Sequence, residues 1–300
     1  MNKEQLCALV AEILQQQEPM VKGSDYKPAS PGPEKHTPEY SPGDFVPDVT
    51  ALDLRKLYLT EAPANPRAFE KMKLTTPARL GSGRAGPRYK TLTMLRFRAD
   101  HAAAQDAVFS QVADDFPEKH GMIPVQTRCT DKDVYLTRPD LGRCFDEKTQ
   151  EQIRSALPHA PKVQLVVGDG LSSAAITANA PDCLAALQDG LKLRGIEAGP
   201  PLFVRYCRVG AGDAVGDLTQ CELVCVLVGE RPGLVTDKSM SAYLTYRPHT
   251  GVSESSRTVV SNIHSQGTPA VEAGAYIAQL IETILTRKVS GVGLHLEASS

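Results

Sequence analysis

Two glycine-rich segments contain the residue types that could hold a phosphate group. Residues 210–216 follow a predicted strand and resemble a dinucleotide-binding loop, and Glu230 ends the next predicted strand roughly 20 residues on, where a ribose-binding acid would lie. Only about ten residues separate Gly212 from that next strand, whereas a parallel crossover usually needs about a dozen or more. Residues 168–172 precede a predicted helix but lack the third glycine of the motif. A nicotinamide-dependent oxidoreductase therefore stays open as an alternative, without a specific motif to support it.

Other catalytic chemistry finds little support in the sequence. The Gly-x-Ser-x-Gly elbow of serine hydrolases and the His-Glu-x-x-His pair of zinc proteases are both missing. The seven cysteines include no Cys-x-x-Cys pair, so we expect reduced, buried thiols and no zinc site. His264 could act as a base, although a lone histidine is more often structural. The chain thus predicts a binding surface without a convincing catalytic set of its own.

Four loops rich in glycine and small polar residues follow predicted strands. Ligands of α/β proteins bind outside the carboxyl ends of the strands, where glycine lets a ligand approach the backbone. We expect the four loops to form one binding surface, although strand ends also need glycine for turning. They cover residues 168–172, 209–216, 229–233 and 261–267.

Alternating strands and helices after residue 123 predict an α/β fold with a parallel or mostly parallel sheet. Asp140 is expected to cap a helix that runs to Leu157, and Asp182 to cap another. The last long helix is predicted to begin at Thr268 and Pro269. Predicted strands cover residues 134–136, 163–167, 202–209, 223–228 and 243–246.

The chain before residue 123 falls into two parts of different character. Residues 49–122 look mainly helical, with helices predicted over residues 50–59, 66–73 and 91–112. Between them, residues 84–88 form a cationic turn, which we expect to be solvated or paired with local acids. Residues 1–48 combine a short amphipathic helix with a proline-rich stretch typical of a flexible linker. This tail could be a docking or targeting peptide or could pack on its own body, and both interpretations stay open.

The overall composition is that of an ordinary soluble globular protein. The formal net charge is −2, and Lys and Arg are scattered, so the sequence predicts no nucleic-acid partner. No apolar run approaches the ~20 residues that span a bilayer, and no signal peptide is apparent, so we expect no membrane partner and a cytoplasmic location.

Several segments taken together resemble the light chain of ethanolamine ammonia-lyase. Their order and spacing match over roughly residues 50–293, and the last two are the most specific. The segments are Arg84-Ala-Gly-Pro-Arg88, Leu95-Arg-Phe-Arg-Ala-Asp-His101, Asp131-Lys-Asp-Val-Tyr-Leu-Thr-Arg-Pro-Asp140, Asp169-Gly-Leu-Ser172, Phe203-Val-Arg-Tyr206, Leu227-Val-Gly-Glu-Arg-Pro-Gly-Leu234, and Ser261-Asn-Ile-His264 with Gly267-Thr-Pro269.

The resemblance implies the small subunit of an adenosylcobalamin-dependent lyase that converts ethanolamine to acetaldehyde and ammonia by radical chemistry. Such light chains have a helical N-terminal domain and a Rossmann-like C-terminal domain, expected here over residues 49–122 and 123–300, after the tail of residues 1–48. The large subunit carries the catalytic groups, and the cofactor lies between the two chains. The N-terminal helix of such proteins is associated with a bacterial microcompartment, which implies that location and a shell or cargo partner. A cofactor-free interaction subunit is a second alternative.

The resemblance also implies three cofactor-binding positions. They are Val209, Glu230 and Val259, the last of which is often cysteine in such proteins. A valine can pack on the broad apolar face of a corrin, and a carboxylate can accept hydrogen bonds from its amide rim or its nucleotide. Without the resemblance, sheet-end packing of Val209 and a pair between Glu230 and Arg231 or another arginine are the ordinary expectations. The Asp-x-His-x-x-Gly motif that supplies a histidine ligand in some cobalamin proteins is missing, so we expect the cofactor to keep its own base as lower ligand.

Overall fold

The computed structural model describes residues 48–57 and 59–296, and its centre is a six-stranded sheet. Strands β3 (Ile123–Gln126), β4 (Val163–Asp169), β5 (Leu202–Arg205) and β6 (Leu223–Gly229) are parallel, and β7 (Met240–Tyr246) is antiparallel to both β6 and β8 (Arg257–Ile263). The strand order is β3-β5-β4-β6-β7-β8. The prediction of an α/β fold is confirmed, but the sheet is mixed, and strands β3 and β8 were not predicted.

The helices cover the two faces of this sheet. Two long helices, Ser173–Leu193 (α6) and Ala270–Arg287 (α8), pack on one face, whereas two shorter helices, Glu147–Ala156 (α5) and Ala211–Thr219 (α7), pack on the other. Before the sheet, a two-stranded hairpin joins Arg84–Ala85 (β1) to Arg88–Tyr89 (β2). In chain order the helices are α1 (Pro66–Leu74), α2 (Thr91–Phe109), α3 (Phe116–Lys119), α4 (Lys132–Thr137), α5 (Glu147–Ala156), α6 (Ser173–Leu193), α7 (Ala211–Thr219), α8 (Ala270–Arg287) and α9 (Val292–Leu296).

The central strands are apolar on both sides because both of their faces are covered. Along β6, Leu223, Cys225 and Leu227 face helices α6 and α8. The alternating valines of the same strand join the second core, beneath α5 and α7. A continuous β-branched and apolar run is therefore the expected sequence for this strand and for β4, and both runs were predicted as strands.

Local capping explains most differences from the predicted helices. Residues 134–136, predicted as a strand, belong to α4 because the Asp131 carboxylate accepts a hydrogen bond from the Val134 amide at 2.9 Å. Asp140 precedes only a 3-10 turn at Leu141–Arg143. Helix α5 instead starts at Asp146, whose carboxylate accepts from the Thr149 amide at 2.8 Å.

Tertiary packing overrides a second predicted boundary. Asp182 caps no helix, because α6 runs unbroken from the Ser172 cap through Pro181 to Leu193. Ala180 and Cys183, on either side of the break that proline would favour, are fully buried in the core. Burial of that face keeps the helix continuous despite the loss of one backbone hydrogen bond.

The segment before the sheet contains fewer helical residues than predicted. Helix α1 matches its prediction, and α2 begins where predicted but ends at Phe109, three residues early. Residues 50–59 hold only a 3-10 turn at Val49–Ala51 within their described part. The cationic residues 84–88 form the exposed β1–β2 hairpin, where the Arg84 guanidinium lies 4.6 Å from the Tyr89 ring centre. The predicted tail lies outside the described residues up to residue 47, and the predicted domain boundaries stay a prediction. Within residues 48–57 and 59–296, no helix is both long enough and apolar enough to cross a bilayer.

Candidate functional site

The four glycine-rich loops leave the sheet at a single edge. Strands β4, β5 and β6 are parallel, so their carboxyl ends lie together. Strand β8 is antiparallel to β7, which is antiparallel to β6, so β8 runs in the same direction as β6. Its last residue, Ile263, pairs with Met240 and therefore lies at the same edge as the end of β6. The expected common surface of loops is therefore present.

The crevice in which α/β proteins usually bind nucleotides is filled by this chain's own side chains. Helix α6 follows β4 on one face and α7 follows β5 on the other, which opens a crevice between the two strand ends. From α4, the Lys132 amine donates to the Gly170 carbonyl at 2.9 Å, and the Tyr135 hydroxyl donates to the Cys207 carbonyl at 3.1 Å. The Arg208 guanidinium lies 4.2 Å from the Tyr135 ring centre. These contacts fill the crevice between the two strand ends.

The charged groups in this crevice have structural roles. Burial lowers the pKa of the Lys132 amine and raises the pKa of the Tyr135 phenol. The negative charge of buried Asp169 opposes the shift at Lys132. Asp169 itself accepts from the Ser173 hydroxyl at 2.6 Å and from the Val112 amide at 3.2 Å. The cluster therefore fastens α4, α6 and the segment after α2 to the edge of the sheet.

The glycines of residues 210–216 serve helix packing. A β-carbon on Gly212 would lie 2.5 Å from the Val226 side chain, and one on Gly216 would lie 2.5 Å from Pro248. These glycines let α7 approach β6 and the segment after β7 closely. This stretch was predicted to be too short for a crossover helix, and that prediction is wrong, since the nine-residue helix α7 occupies it. The spacing that resembles a dinucleotide motif thus has a packing explanation, and the nicotinamide alternative loses its support.

Glu230 projects onto the sheet just beyond the end of β6. Its carboxylate accepts hydrogen bonds from the Ser239 hydroxyl at 3.0 Å, from the Ser241 hydroxyl, and from the Asn262 amide at 3.3 Å. Asn262 adopts the left-handed backbone conformation (φ 58°), which asparagine tolerates better than most residues. The carboxylate is therefore held by β7 and β8 and not by Arg231, the partner expected from the sequence alone.

Packing places Val209, and strand register places Val259, on the same side of the sheet as Glu230. Val209 packs against the core beneath α7, as does Tyr243 of β7. Val259 of β8 pairs directly with Tyr243, so the two side chains share a face, and Val259 is 47% exposed. Ser241 lies two residues before Tyr243 on the same side of β7, and its hydroxyl donates a hydrogen bond to the Glu230 carboxylate. We call the surface formed by Val209, Glu230, Tyr243 and Val259 the β7–β8 face.

A buried ion pair fixes one side of the β7–β8 face. The guanidinium of Arg257, at the start of β8, donates to both carboxylate oxygens of Asp213 on α7, each at 2.8 Å. It also donates to Thr245 at 3.2 Å and to Glu254 at 2.8 and 3.2 Å. The hydrogen bonds that Arg257 donates to Asp213 raise the pKa of Arg257 above its usual value. This pair ties the helix that follows Val209 to the strand that carries Val259.

Sequence reasoning missed the residues that organise this face. The partners in the Asp213–Arg257 pair are 44 residues apart, so no local pattern could reveal them. Ser241 and Tyr243 do alternate with apolar Met240, Ala242 and Leu244, a period-two signal that could have extended the predicted strand towards Glu230.

The described residues contain no group of three or more His, Cys, Asp or Glu side chains that could hold a metal ion. His264 lies in the loop after β8, and its Nδ1 accepts a hydrogen bond from the Gln266 amide at 3.3 Å. That contact gives the histidine a structural role within its own loop.

Comparison with known proteins assigns the family. The model of the ethanolamine ammonia-lyase light chain (EutC) matches residues 66–295. The chain belongs to this family. The light chain is 53% identical to the ethanolamine ammonia-lyase small subunit of Clostridium perfringens over 294 residues, which is 98% of this chain and 100% of that protein. It is 52% identical to the small subunit of Clostridioides difficile over 295 residues and 51% identical to that of Listeria innocua over 295 residues, with the same coverage in both cases. The resemblance inferred from motifs is confirmed.

Proposed function

We propose that this light chain is the cofactor-holding small subunit of adenosylcobalamin-dependent ethanolamine ammonia-lyase. The observation that supports the proposal is that Val209, Glu230 and Val259, from three separate segments, lie on the same side of the sheet. The relatives are named as small subunits, which supports a large-subunit partner for this chain. In this proposal the α/β part is a Rossmann-like domain, residues 49–122 form a helical domain, and residues 1–48 direct the enzyme to a bacterial microcompartment in the cytoplasm.

The residues of the β7–β8 face suit a corrin. Val209, Tyr243 and Val259 supply apolar contact area, and nearly half of the Val259 side chain is open to solvent. Glu230 holds an acceptor at the margin of this area, where the amides of a corrin rim would need one. When bound, adenosylcobalamin supplies the radical chemistry, which is a property of the cofactor.

In this proposal, the residues of this chain bind the cofactor, orient it and shield it from water. The three donors on the Glu230 carboxylate fix the direction of its remaining lone pairs, so that a partner is recognised at one position. The apolar part of the face excludes water from one side of the ligand. The ammonia-lyase activity then depends on groups of the large subunit, since the described residues offer no catalytic set.

The proposal is tested by co-expressing this chain with an ethanolamine ammonia-lyase large subunit and titrating the complex with hydroxocobalamin. We expect a spectral change that saturates, and ethanolamine turnover only when both chains and adenosylcobalamin are present. Turnover by the isolated light chain would refute the division of roles. Binding of NAD by this chain alone would favour the oxidoreductase, and assembly with no cobalamin binding would favour a cofactor-free interaction subunit.

A matched pair of substitutions tests the face itself. Glu230→Gln keeps the shape but weakens a charge-assisted acceptor, and we expect about tenfold weaker hydroxocobalamin binding by the complex. Glu222→Gln, at the opposite end of the same strand, is the control and should leave binding unchanged. Equal effects of the two substitutions would remove Glu230 from the site.

A further inference from the structure

Tyr243 occupies the middle of the β7–β8 face. In register it lies between Val226 of β6 and Val259 of β8. Its ring packs against the same core as Val209, and its side chain is half-buried. Sequence motifs singled out the residues around it but not Tyr243 itself.

The Tyr243 hydroxyl makes no hydrogen bond with any residue in the part of the chain that the structure describes. Partly buried tyrosines usually find a partner for this group. Tyr135 and Tyr206 do so here, since the Tyr135 hydroxyl donates to the Cys207 carbonyl and the Tyr206 hydroxyl accepts from Gln111 at 3.1 Å. The apolar ring of Tyr243 is thus held in place while its polar end has no protein partner.

The charges around Tyr243 keep that polar end a donor. Burial raises the pKa of the phenol, and the negative charges of Glu230 and Glu254 raise it further, while Arg257 opposes them. The hydroxyl therefore stays protonated at neutral pH. The Glu230 carboxylate accepts from the Ser239 and Ser241 hydroxyls and the Asn262 amide and still has a lone pair to spare, so the face presents an acceptor and a donor.

We propose that Tyr243 is a fourth cofactor-contact residue: its ring packs on the corrin, and its hydroxyl donates a hydrogen bond to an amide carbonyl on the corrin rim. Paired with the Glu230 acceptor, this donor matches the two ends of primary amides, which have both an oxygen and an N–H₂ group. The inference rests on the proposed function and adds to it the group that recognises the amide oxygen.

The test uses the complex of this light chain with a large subunit, and hydroxocobalamin as the probe. Tyr243→Phe removes only the hydroxyl, and we expect binding about three- to tenfold weaker, the usual effect of losing one neutral hydrogen bond. Tyr243→Ala also removes the ring, and we expect a loss beyond about tenfold. The control is Tyr246→Phe on the same strand, whose hydroxyl meets Glu222 at 3.4 Å and whose ring packs on the opposite core.

The outcomes separate this inference from the proposed function. Tyr243→Phe is nearly isosteric, and its assembly with the large subunit is checked by gel filtration. Wild-type affinity in both Tyr243 variants, with normal binding by the unmodified complex, would overturn the Tyr243 inference and leave the proposed function standing. If the unmodified complex itself bound no hydroxocobalamin, the proposed function would fall and this inference with it.

Discussion

The buried pair of Arg257 and Asp213 predicts an unequal response to the removal of either partner. Their side chains are 3% and 8% exposed, so neither charge is solvated when its partner is lost. Arg257→Met keeps most of the apolar stem but leaves Asp213 without a hydrogen-bond donor among the described residues. We expect this substitution to lower the free energy of unfolding by about 3–5 kcal/mol, the usual penalty for an unpaired buried charge.

Asp213→Asn should cost less, because Arg257 retains Glu254 and Thr245 as partners. We expect about 1–3 kcal/mol for this variant, the cost of weakening one buried charge-assisted contact. The double variant Arg257→Met with Asp213→Leu removes both charges, and its loss should be smaller than the sum of the single losses by at least about 1 kcal/mol. The control Glu254→Gln, whose side chain is 74% exposed, should change stability by at most about 1 kcal/mol.

Urea unfolding followed by circular dichroism measures these differences, provided that the slope against denaturant stays constant. Hydroxocobalamin titration of the assembled complex gives a second measurement. Because the pair ties α7 to β8, Arg257→Met should weaken binding as well as stability. A loss below about 1 kcal/mol for Arg257→Met, or a larger loss for Asp213→Asn, would contradict the assignment of this pair as a buried fastening of the β7–β8 face.

Three further predictions concern the same surface and the thiols. If Val259 contacts the cofactor by packing, as proposed, Val259→Cys should leave hydroxocobalamin affinity within about threefold of the original, whereas Val259→Asp should lower it by more than about tenfold. A strong gain in affinity with cysteine would instead show a sulfur-specific contact. Burial raises the pKa of the Cys183 and Cys207 thiols to about 12, whereas Cys144 is only partly buried. After iodoacetamide treatment of the folded protein at pH 8, mass spectrometry should therefore find Cys144 alkylated and the other two intact. Alkylation of Cys183 or Cys207 before unfolding would contradict their burial. Electron spin resonance of the cobalt(II) complex with isotopically labelled histidine should show no change in superhyperfine coupling, and a change would mean that a histidine replaces the cofactor's own base.

The parts of the fold that the sequence predicted are those fixed by local pattern. Strands β4 and β6 are continuous apolar runs, and helix α2 has no competing breaker within its length. Strand β3 is short and contains Pro124, which is tolerated because β3 is an edge strand. Strand β8 begins with Arg257, whose charge argues against a strand until its partner on α7 is known. Strands β3 and β8 were therefore missed because each depends on contacts with residues that are distant in the chain.

The candidate site, like the fold, was predictable only in part from the sequence. Val209, Glu230 and Val259 came from family resemblance, because each alone has an ordinary packing or pairing explanation. What the sequence could not supply was the register between β7 and β8, which brings Val259 beside Tyr243 and the Asn262 amide to Glu230. A shift of one residue in that register would turn Val259 to the other face of the sheet and separate it from the other two.

Topology explains why the open surface lies over β7 and β8 and not at the usual crevice. Parallel strands need crossover helices, and in this chain those helices and the α4 segment cover both faces and the carboxyl edge between β4 and β5. Antiparallel strands are joined by turns, so adding β7 and β8 extends the sheet without adding a helix over their second face. The partial exposure of Tyr243 and Val259 follows directly. A ligand with a broad apolar side needs an open surface of this kind, whereas a nucleotide that binds in a crevice does not.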